Sequence, residues 1–122
     1  MRARLKNLRQ SPRKVRLVAD LIRGKRVEDA LLQLDNLTKK SSLPIKKLLS
    51  SAAANAKKED SKIGDNLFIK EIRVDQGLTF KRFMPAWHGR AHPIHRHSSH
   101  VEIVLGAGQK PKEKPKSKIT KK

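Results

Sequence analysis

The segment 72–105 places the strongest constraint on how this chain can fold. It begins and ends with strand-forming residues, yet residues 76–101 include no acidic side chain. The same interval contains all five histidines, the only tryptophan and two of the three phenylalanines. Gly89 lies near its midpoint. This pattern predicts a long two-stranded hairpin, here called the ribbon (about 76–101), which leaves the body, turns near Gly89 and returns.

A ribbon of this length needs a partner. Strands rise about 3.3 Å per residue, so an arm of a dozen residues extends roughly 40 Å. That is further than a domain of this size is wide. An isolated two-stranded hairpin is at best marginally stable in water. We therefore expect the ribbon to be a contact surface that another molecule surrounds.

The charge of the chain indicates the class of that partner. Lys and Arg outnumber Asp and Glu by 30 to 11 over 122 residues, which gives a net charge of +19. Such a chain attracts polyphosphate, because neutralising phosphates releases counterions. The aromatic and imidazole rings of the ribbon can stack on unpaired bases, which suits folded RNA better than duplex DNA. Composition therefore predicts an RNA-binding protein.

The sequence does not have the features of a disulfide-rich, thiolate zinc-binding or membrane protein. The chain contains no cysteine, which excludes a disulfide framework and a thiolate zinc site. No apolar run approaches the roughly 18 residues of a membrane span, and the N-terminus lacks the apolar segment of a signal peptide. We therefore predict a cytoplasmic protein that does not enter a membrane.

The histidines form no recognisable metal or catalytic motif. His88 and His92 are four residues apart, but Pro93 argues against the helix that would bring them together. His95 and His97 share a strand face, without a nearby acid to orient either ring. A glycine-rich loop with nucleotide-binding spacing is also absent. The sequence predicts no enzyme, no metal and no cofactor.

The remaining segments predict an α+β domain: three helices packed on one face of a small antiparallel sheet, with the ribbon protruding. Residues 2–9 form an edge strand with Leu5 and Leu8 inward, or alternatively a disordered arm. The first helix is expected to begin with the hydroxyl of Ser11 as N-cap and Pro12 at the first helical position, and to end at Gly24. The other helices are 27–36 and about 42–58, and the other strands of the body are 67–74 and 101–105. The domain spans 1–105, and 106–122, with seven lysines and one acid, is a disordered basic tail.

The apolar periodicity predicts the core and two irregularities. The imperfect alternation of 67–74 indicates a bulge near residues 70–71, or burial on both faces. Pro85 and Pro93 lack an N–H, so the ladder is expected to fail there and to leave 86–92 as an irregular tip. The inward-facing helix residues are expected to be Val15, Leu17, Val18, Leu21, Ile22, Val27, Ala30, Leu31, Leu34, Ile45, Leu48, Leu49, Ala52, Ala53 and Ala56.

Three segments, 11–24, 51–56 and 80–85 with 89–91, closely resemble the large-subunit ribosomal protein of the L twenty-two family, bacterial type. The resemblance covers nearly all of 5–105. It implies a small α+β domain at the subunit surface near the tunnel exit, and a hairpin that threads through large-subunit ribosomal RNA. It further implies contacts with several rRNA domains, support of subunit assembly, and a hairpin tip that lines the nascent-peptide exit tunnel near the site of macrolide action.

Partners and sites follow from the resemblance and from the cations. The implied partners are large-subunit rRNA, neighbouring ribosomal proteins and the nascent polypeptide; a homo-oligomer is not expected. The expected RNA-binding residues are Arg2, Arg4, Lys6, Arg9, Arg13, Lys14, Arg16, Lys25, Arg26, Lys81, Arg82, Arg90, Arg96 and His97. The expected tunnel-lining residues are Met84, Trp87, His88, Gly89, Arg90, Ala91 and His92.

The tip departs from the family pattern. Residues 86–88 are Ala-Trp-His, where a basic run is usual, and histidines stand at three downstream basic positions. We expect a bulkier and less permanently charged tip. The alternative functions are a free-standing nucleic-acid-binding regulator or nucleoid-like protein, and a histidine-based metalloenzyme.

Overall fold

The computed structural model describes residues 1–59 and 67–108, and it has the predicted α+β architecture. The elements, in chain order, are β1 (Arg2–Leu8), α1 (Pro12–Ile22), α2 (Val27–Asn36), α3 (Ser42–Glu59), β2 (Leu67–Pro85), a single 3-10 turn (Trp87–Gly89) and β3 (Ala91–Ala107). The three strands form one antiparallel sheet in the order β1-β3-β2. The predictions of an edge strand at the N-terminus and of three helices are confirmed, and the alternative of a disordered arm is wrong.

The helix boundaries follow local chemistry. Pro12 occupies the first turn of α1, and the carbonyl of the N-cap Ser11 accepts the N–H groups of Lys14 and Val15 at 3.0 and 3.2 Å. The Ser11 hydroxyl makes no capping hydrogen bond, contrary to the predicted hydroxyl cap. α1 ends just before Gly24, whose φ of 73° favours glycine. Pro44 lies in the first turn of α3, where its missing N–H costs no helical bond.

The core lies between the helices and one face of the sheet. The predicted inward residues of α2 and α3 are buried or packed against the core. On α1, Leu17 and Leu21 are 69% and 41% exposed, so their predicted burial is wrong. Each helical residue turns about 100°, which places Ala19, rather than Leu17 or Leu21, beside Val15 on the buried face.

A bulge in β2 explains its imperfect alternation. Ile69 pairs with Leu105 and Glu71 pairs with Val104, so Lys70 is an extra residue between them. The extra residue returns the later side chains to the core face, and Leu67, Ile69, Ile72 and Val74 are all buried on it. The predicted bulge is confirmed. Beside it, the α1–α2 turn covers the outer edge of β2, since Gly24 N–H donates to Ile69 O and Ile69 N–H donates to Lys25 O.

The ribbon extends beyond the end of β1. The last β1–β3 pair is Leu8 with Ser99, whereas the β2–β3 pairs continue from Thr79–His97 to Pro85–Ala91. The predicted failure of the ladder at the prolines is therefore wrong, and the irregular tip is 86–90 rather than 86–92. In a two-stranded ribbon each strand has an open edge, where a proline nitrogen removes no ladder bond.

The last strand is longer than predicted. β3 runs to Ala107, two residues past the predicted end of this strand at 105. Residues 60–66 and residues 109–122, which make up most of the predicted basic tail, lie outside the described residues. The division into a domain and a disordered tail stays a prediction.

Candidate nucleic-acid interface

The predicted RNA-binding residues lie in four groups. The first group is on β1, where alternation places Arg2 and Arg4 on the face of the sheet opposite the helices, while Ala3 is buried. Arg4 forms an ion pair with Glu102 across the strands at 3.6 Å. Lys6 is exposed farther along the strand, and Arg9 follows its end.

This outer face of the sheet carries acids as well as bases. Arg73 donates to both carboxylate oxygens of Glu71, at 2.6 and 3.0 Å. These hydrogen bonds lower the pKa of Glu71 and raise the pKa of Arg73. Because the charges on this face are partly paired with one another, it is less suited to polyphosphate than the ribbon, where residues 76–101 include no acid.

The second group is on α1. Arg13, Lys14 and Arg16 are exposed along the helix beside the base of the ribbon. The Arg16 guanidinium also donates to the carbonyl oxygen of Val74, from Nε at 3.3 Å and from Nη2 at 3.1 Å. Arg16 therefore holds α1 against β2 while its charge stays at the surface.

The third group is the α1–α2 turn. The Lys25 ammonium donates to Gln33 Oε1 at 2.7 Å, which directs this side chain along α2. Arg26 is exposed, and its backbone forms a bridge to Phe68 of β2. This group is separate in the fold from the ribbon arms.

The fourth group is on the ribbon. Lys81, Arg82, Arg90 and Arg96 are all exposed. The Arg82 guanidinium lies 5.8 Å from the centre of the Phe80 ring, within the range of a cation–π contact. These cations occur on both arms and at the tip, so the positive charge is distributed along the ribbon.

His97 is held by neutral neighbours. The Nδ1 atom of His97 lies 3.1 Å from Thr79 Oγ1 and 3.4 Å from Gln76 Nε2. The rings of His95 and His97 share a face, with centres 6.3 Å apart. Within residues 1–59 and 67–108, no group of three or more His, Cys, Asp or Glu side chains could hold a metal ion.

The side chains of the tip are exposed to solvent rather than buried. All seven predicted tunnel-lining residues are exposed, and Trp87 is 83% exposed. The rings of Trp87 and His88 lie 3.9 Å apart, centre to centre, at 40°. The turn is closed by a hydrogen bond from Ala86 N–H to Arg90 O, with positive φ at His88 and Gly89.

A cleft where the ribbon leaves the body joins several of these groups. This elbow cleft has a volume of about 440 Å³. Arg9, Lys14, Arg96 and His97 are among the predicted RNA-binding residues, and Lys40 is not. No local pattern around Lys40 indicates that the α2–α3 connector reaches the ribbon. The lining residues are Arg9, Gln10, Ser11, Lys14, Lys40, Phe80, His95, Arg96, His97 and Ser98.

Comparison with known proteins identifies the family. The signature of the family described as Ribosomal protein L22p/L17e matches residues 3–106. The chain belongs to this family. Its L22p/L17e membership confirms the resemblance seen in the sequence and shows a structural protein rather than an enzyme.

Individual L22p/L17e relatives match over most of their length. A relative from Christiangramia forsetii, named large ribosomal subunit protein uL22, is 53% identical over 86% of this chain and 80% of its own. A relative of the same name from Mesoplasma florum is 51% identical over 85% of this chain and 93% of its own. Another, from Myxococcus xanthus, is 47% identical over 88% of this chain and 96% of its own.

The helices among the described residues do not combine the length and the hydrophobicity that a membrane span requires.

Proposed function

We propose that this chain is a structural constituent of the large ribosomal subunit in the cytoplasm. In this role it binds large-subunit rRNA, contacts several rRNA domains, supports assembly and meets neighbouring ribosomal proteins. The tip of its ribbon lines the nascent-peptide exit tunnel and contacts the nascent polypeptide. The role in the large subunit is supported by the names of relatives at about half identity over most of the chain.

The observation that carries the proposal is the exposed, acid-free ribbon. Most side chains of its arms, from Lys81 to Pro85 and from Ala91 to His97, are exposed, so the fold of the body gains little from them. A two-stranded ribbon of this length is poorly stable alone. Cationic side chains on both arms supply the attraction to phosphate that would hold it within folded RNA.

Retention on the large subunit tests the proposal. The full chain, carrying an affinity tag, is expressed in bacteria, and large subunits are isolated and washed at high salt. An assembled component stays at one copy per subunit, because insertion of the ribbon into RNA adds contacts that salt does not screen. Release into the wash together with free nucleic acid would instead favour the regulator or nucleoid-like alternative.

A shortened ribbon with a charge-matched control sharpens this test. Phe80 and Arg96 are paired, so replacing 81–95 with Asn-Gly closes the ribbon there and removes three Lys or Arg side chains. We expect this variant to be lost at high salt. The control replaces Lys47, Lys57 and Lys58 of α3 with Gln, which removes the same charge from a helix outside the predicted interface. Equal loss of both variants would contradict a specific role for the ribbon.

A further inference from the structure

The elbow cleft has the composition of a ligand site rather than of a gap between elements. It is lined by the end of β1, the start of α1, the α2–α3 connector and the base of the ribbon. Its volume of about 440 Å³ falls within the range of pockets for small ligands, about 300–1,000 Å³. β1 leaves β3 at the Leu8–Ser99 pair, which opens the edge of β3 along the four lining residues 95–98.

Four cations converge on this cleft from separate segments. Arg9, Lys14, Lys40 and Arg96 all line it, and no carboxylate is among the lining residues. Like charges brought together by folding repel one another unless an anion lies between them. Because the four side chains come from different elements, the cleft suits an extended polyanion with more than one phosphate.

Flat rings line the cleft from both faces of the ribbon. Phe80 is 44% exposed and lies outside the core of the body, and it shares its face of the ribbon with its paired residue Arg96. The imidazoles of His95 and His97 project from the other face, where Thr79 and Gln76 hold the His97 ring in place. Flat rings beside cations provide the stacking and charge contacts that single-stranded nucleic acid uses.

A polar group of the cleft also lacks a partner. Gln10 lines the wall, and its Oε1 atom is shielded from solvent without a hydrogen-bond partner among the described residues. An unsatisfied buried acceptor is unusual in a folded protein. An amine or hydroxyl of a nucleotide in the cleft could satisfy it after a small rotation of the amide.

We propose that the elbow cleft binds one unpaired nucleotide of an RNA strand, with its base stacked on Phe80 and its flanking phosphates held by Arg9, Lys14, Lys40 and Arg96. The inference deepens the proposed RNA-binding function and rests on it. A base inside a duplex cannot reach a ring at the wall of a cleft, whereas a base splayed from a loop can. The site therefore recognises single-stranded RNA at the point where the ribbon enters it.

Stacking on Phe80 is tested with an eight-residue oligoribonucleotide that carries 2-aminopurine at its centre. Binding to the full chain is expected to quench the fluorescence of the 2-aminopurine, because stacking quenches it. Phe80→Leu should weaken binding about tenfold and abolish most of the quenching. Phe83→Leu is the matched control, since Phe83 is 75% exposed on the same strand and does not line the cleft. Equal effects of the two substitutions, or none from either, would overturn the inference.

The phosphate contacts are tested by salt dependence. Lys40→Gln should reduce the slope of log affinity against log salt by about 0.7 for the same oligoribonucleotide, the contribution of one phosphate contact on a single strand. Lys47→Gln, on α3 and outside the cleft, should leave the slope unchanged. Competition by AMP as strong as that of the oligomer would show a mononucleotide site and overturn the proposal of an RNA strand. Thermal melting confirms that each variant is folded.

Failure of this inference is distinguishable from failure of the proposed function. If the chain stays on large subunits at high salt but Phe80→Leu binds the oligomer normally, the cleft proposal fails and the ribosomal role stands. If the chain does not assemble into subunits but oligomer binding depends on Phe80 and Lys40, the cleft proposal stands and the ribosomal role fails.

Discussion

Arg16 donates two hydrogen bonds to the carbonyl oxygen of Val74, from Nε at 3.3 Å and from Nη2 at 3.1 Å. Val74 is the last residue of β2 that is buried in the core before the strand enters the ribbon. The fork of the guanidinium therefore fixes α1 to β2 at the base of the ribbon. A residue that the charge pattern predicts to bind phosphate also has a structural role.

Arg16→Lys should separate the two roles. Lysine keeps the charge but lacks the planar fork, so the free energy of unfolding should fall by about 1 kcal/mol while the salt slope of RNA binding stays unchanged. Urea denaturation and binding titrations at several salt concentrations measure the two effects. Arg13→Lys on the same helix is the control and should alter neither. An unchanged unfolding free energy in Arg16→Lys would show that the fork to Val74 contributes nothing.

Arg13 and Lys14 are expected to contact phosphates without anchoring the fold. Replacing both with Gln should reduce the slope of log affinity against log salt by roughly 1.4–1.8, or 0.7–0.9 per phosphate contact, and leave the unfolding curve unchanged. Filter binding to large-subunit rRNA measures the slope. A slope equal to that of the original chain would mean that this face of α1 lies away from RNA.

The Phe68 ring on the paired strand leaves no space for a side chain at position 106. Phe68 and Gly106 are directly opposite, and a Cβ on Gly106 would come within 2.7 Å of Phe68 Cζ. Gly106→Ala should therefore lower the free energy of unfolding by about 1–2 kcal/mol, because the ring must move off the sheet. In a Phe68→Ala background the same substitution should cost much less. Additive effects in thermal or urea unfolding would contradict this close contact.

The hydrogen bonds between Arg73 and Glu71 should have a measurable effect on the pKa of Glu71. The hydrogen bonds from Arg73 lower the pKa of Glu71, so the contribution of the pair is complete above the unfolded pKa and is lost as pH falls through the folded pKa. Arg73→Gln should raise the pKa of Glu71, as followed by carboxyl NMR. Arg23→Gln is the control, because Arg23 pairs with Asp20 instead. A Glu71 titration identical in all three proteins would exclude the pair in solution.

The tip should be dispensable for folding and important for function. Replacing 85–91 with Asn-Gly keeps the Met84–His92 pair beside the new turn and removes only exposed or half-buried residues, so the free energy of unfolding should change by less than about 0.5 kcal/mol. If the tip lines the exit tunnel, cells whose ribosomes carry this variant should respond differently to macrolides than cells carrying Lys47→Gln. Circular dichroism checks the fold. Loss of secondary structure would show that the tip supports the body, and an unchanged macrolide response would contradict the tunnel role.

The local pattern of the chain determined most of the elements. The Ser11-Pro12 start, the Gly24 stop and the apolar spacing of α2 and α3 act within a few residues, so their consequences are readable in sequence. The acid-free interval around Gly89 likewise predicted the ribbon and its turn. The residues that carry the family resemblance, at 11–24, 51–56, 80–85 and 89–91, belong to these same well-defined segments.

Long-range packing decided what the pattern left open. The apolar pattern of α1 predicted one inward stripe that included Leu17 and Leu21. Contact with the sheet instead buries Ala19 and leaves these two leucines exposed. The bulge at Lys70 became certain only through its pairing with β3. β3 has an open edge beyond the end of β1, and β2 is an edge strand throughout, so the ladder passes both prolines.

The sequence by itself determined a basic α+β body with a protruding acid-free ribbon, because charge, periodicity and turn residues are properties of short segments. Only the tertiary structure decided which distant side chains meet. It joined Arg16 to Val74, 58 positions later, and brought Lys40 and Phe80 to the same cleft. Such contacts arise when the helices pack on the sheet, and no local pattern of residues encodes them.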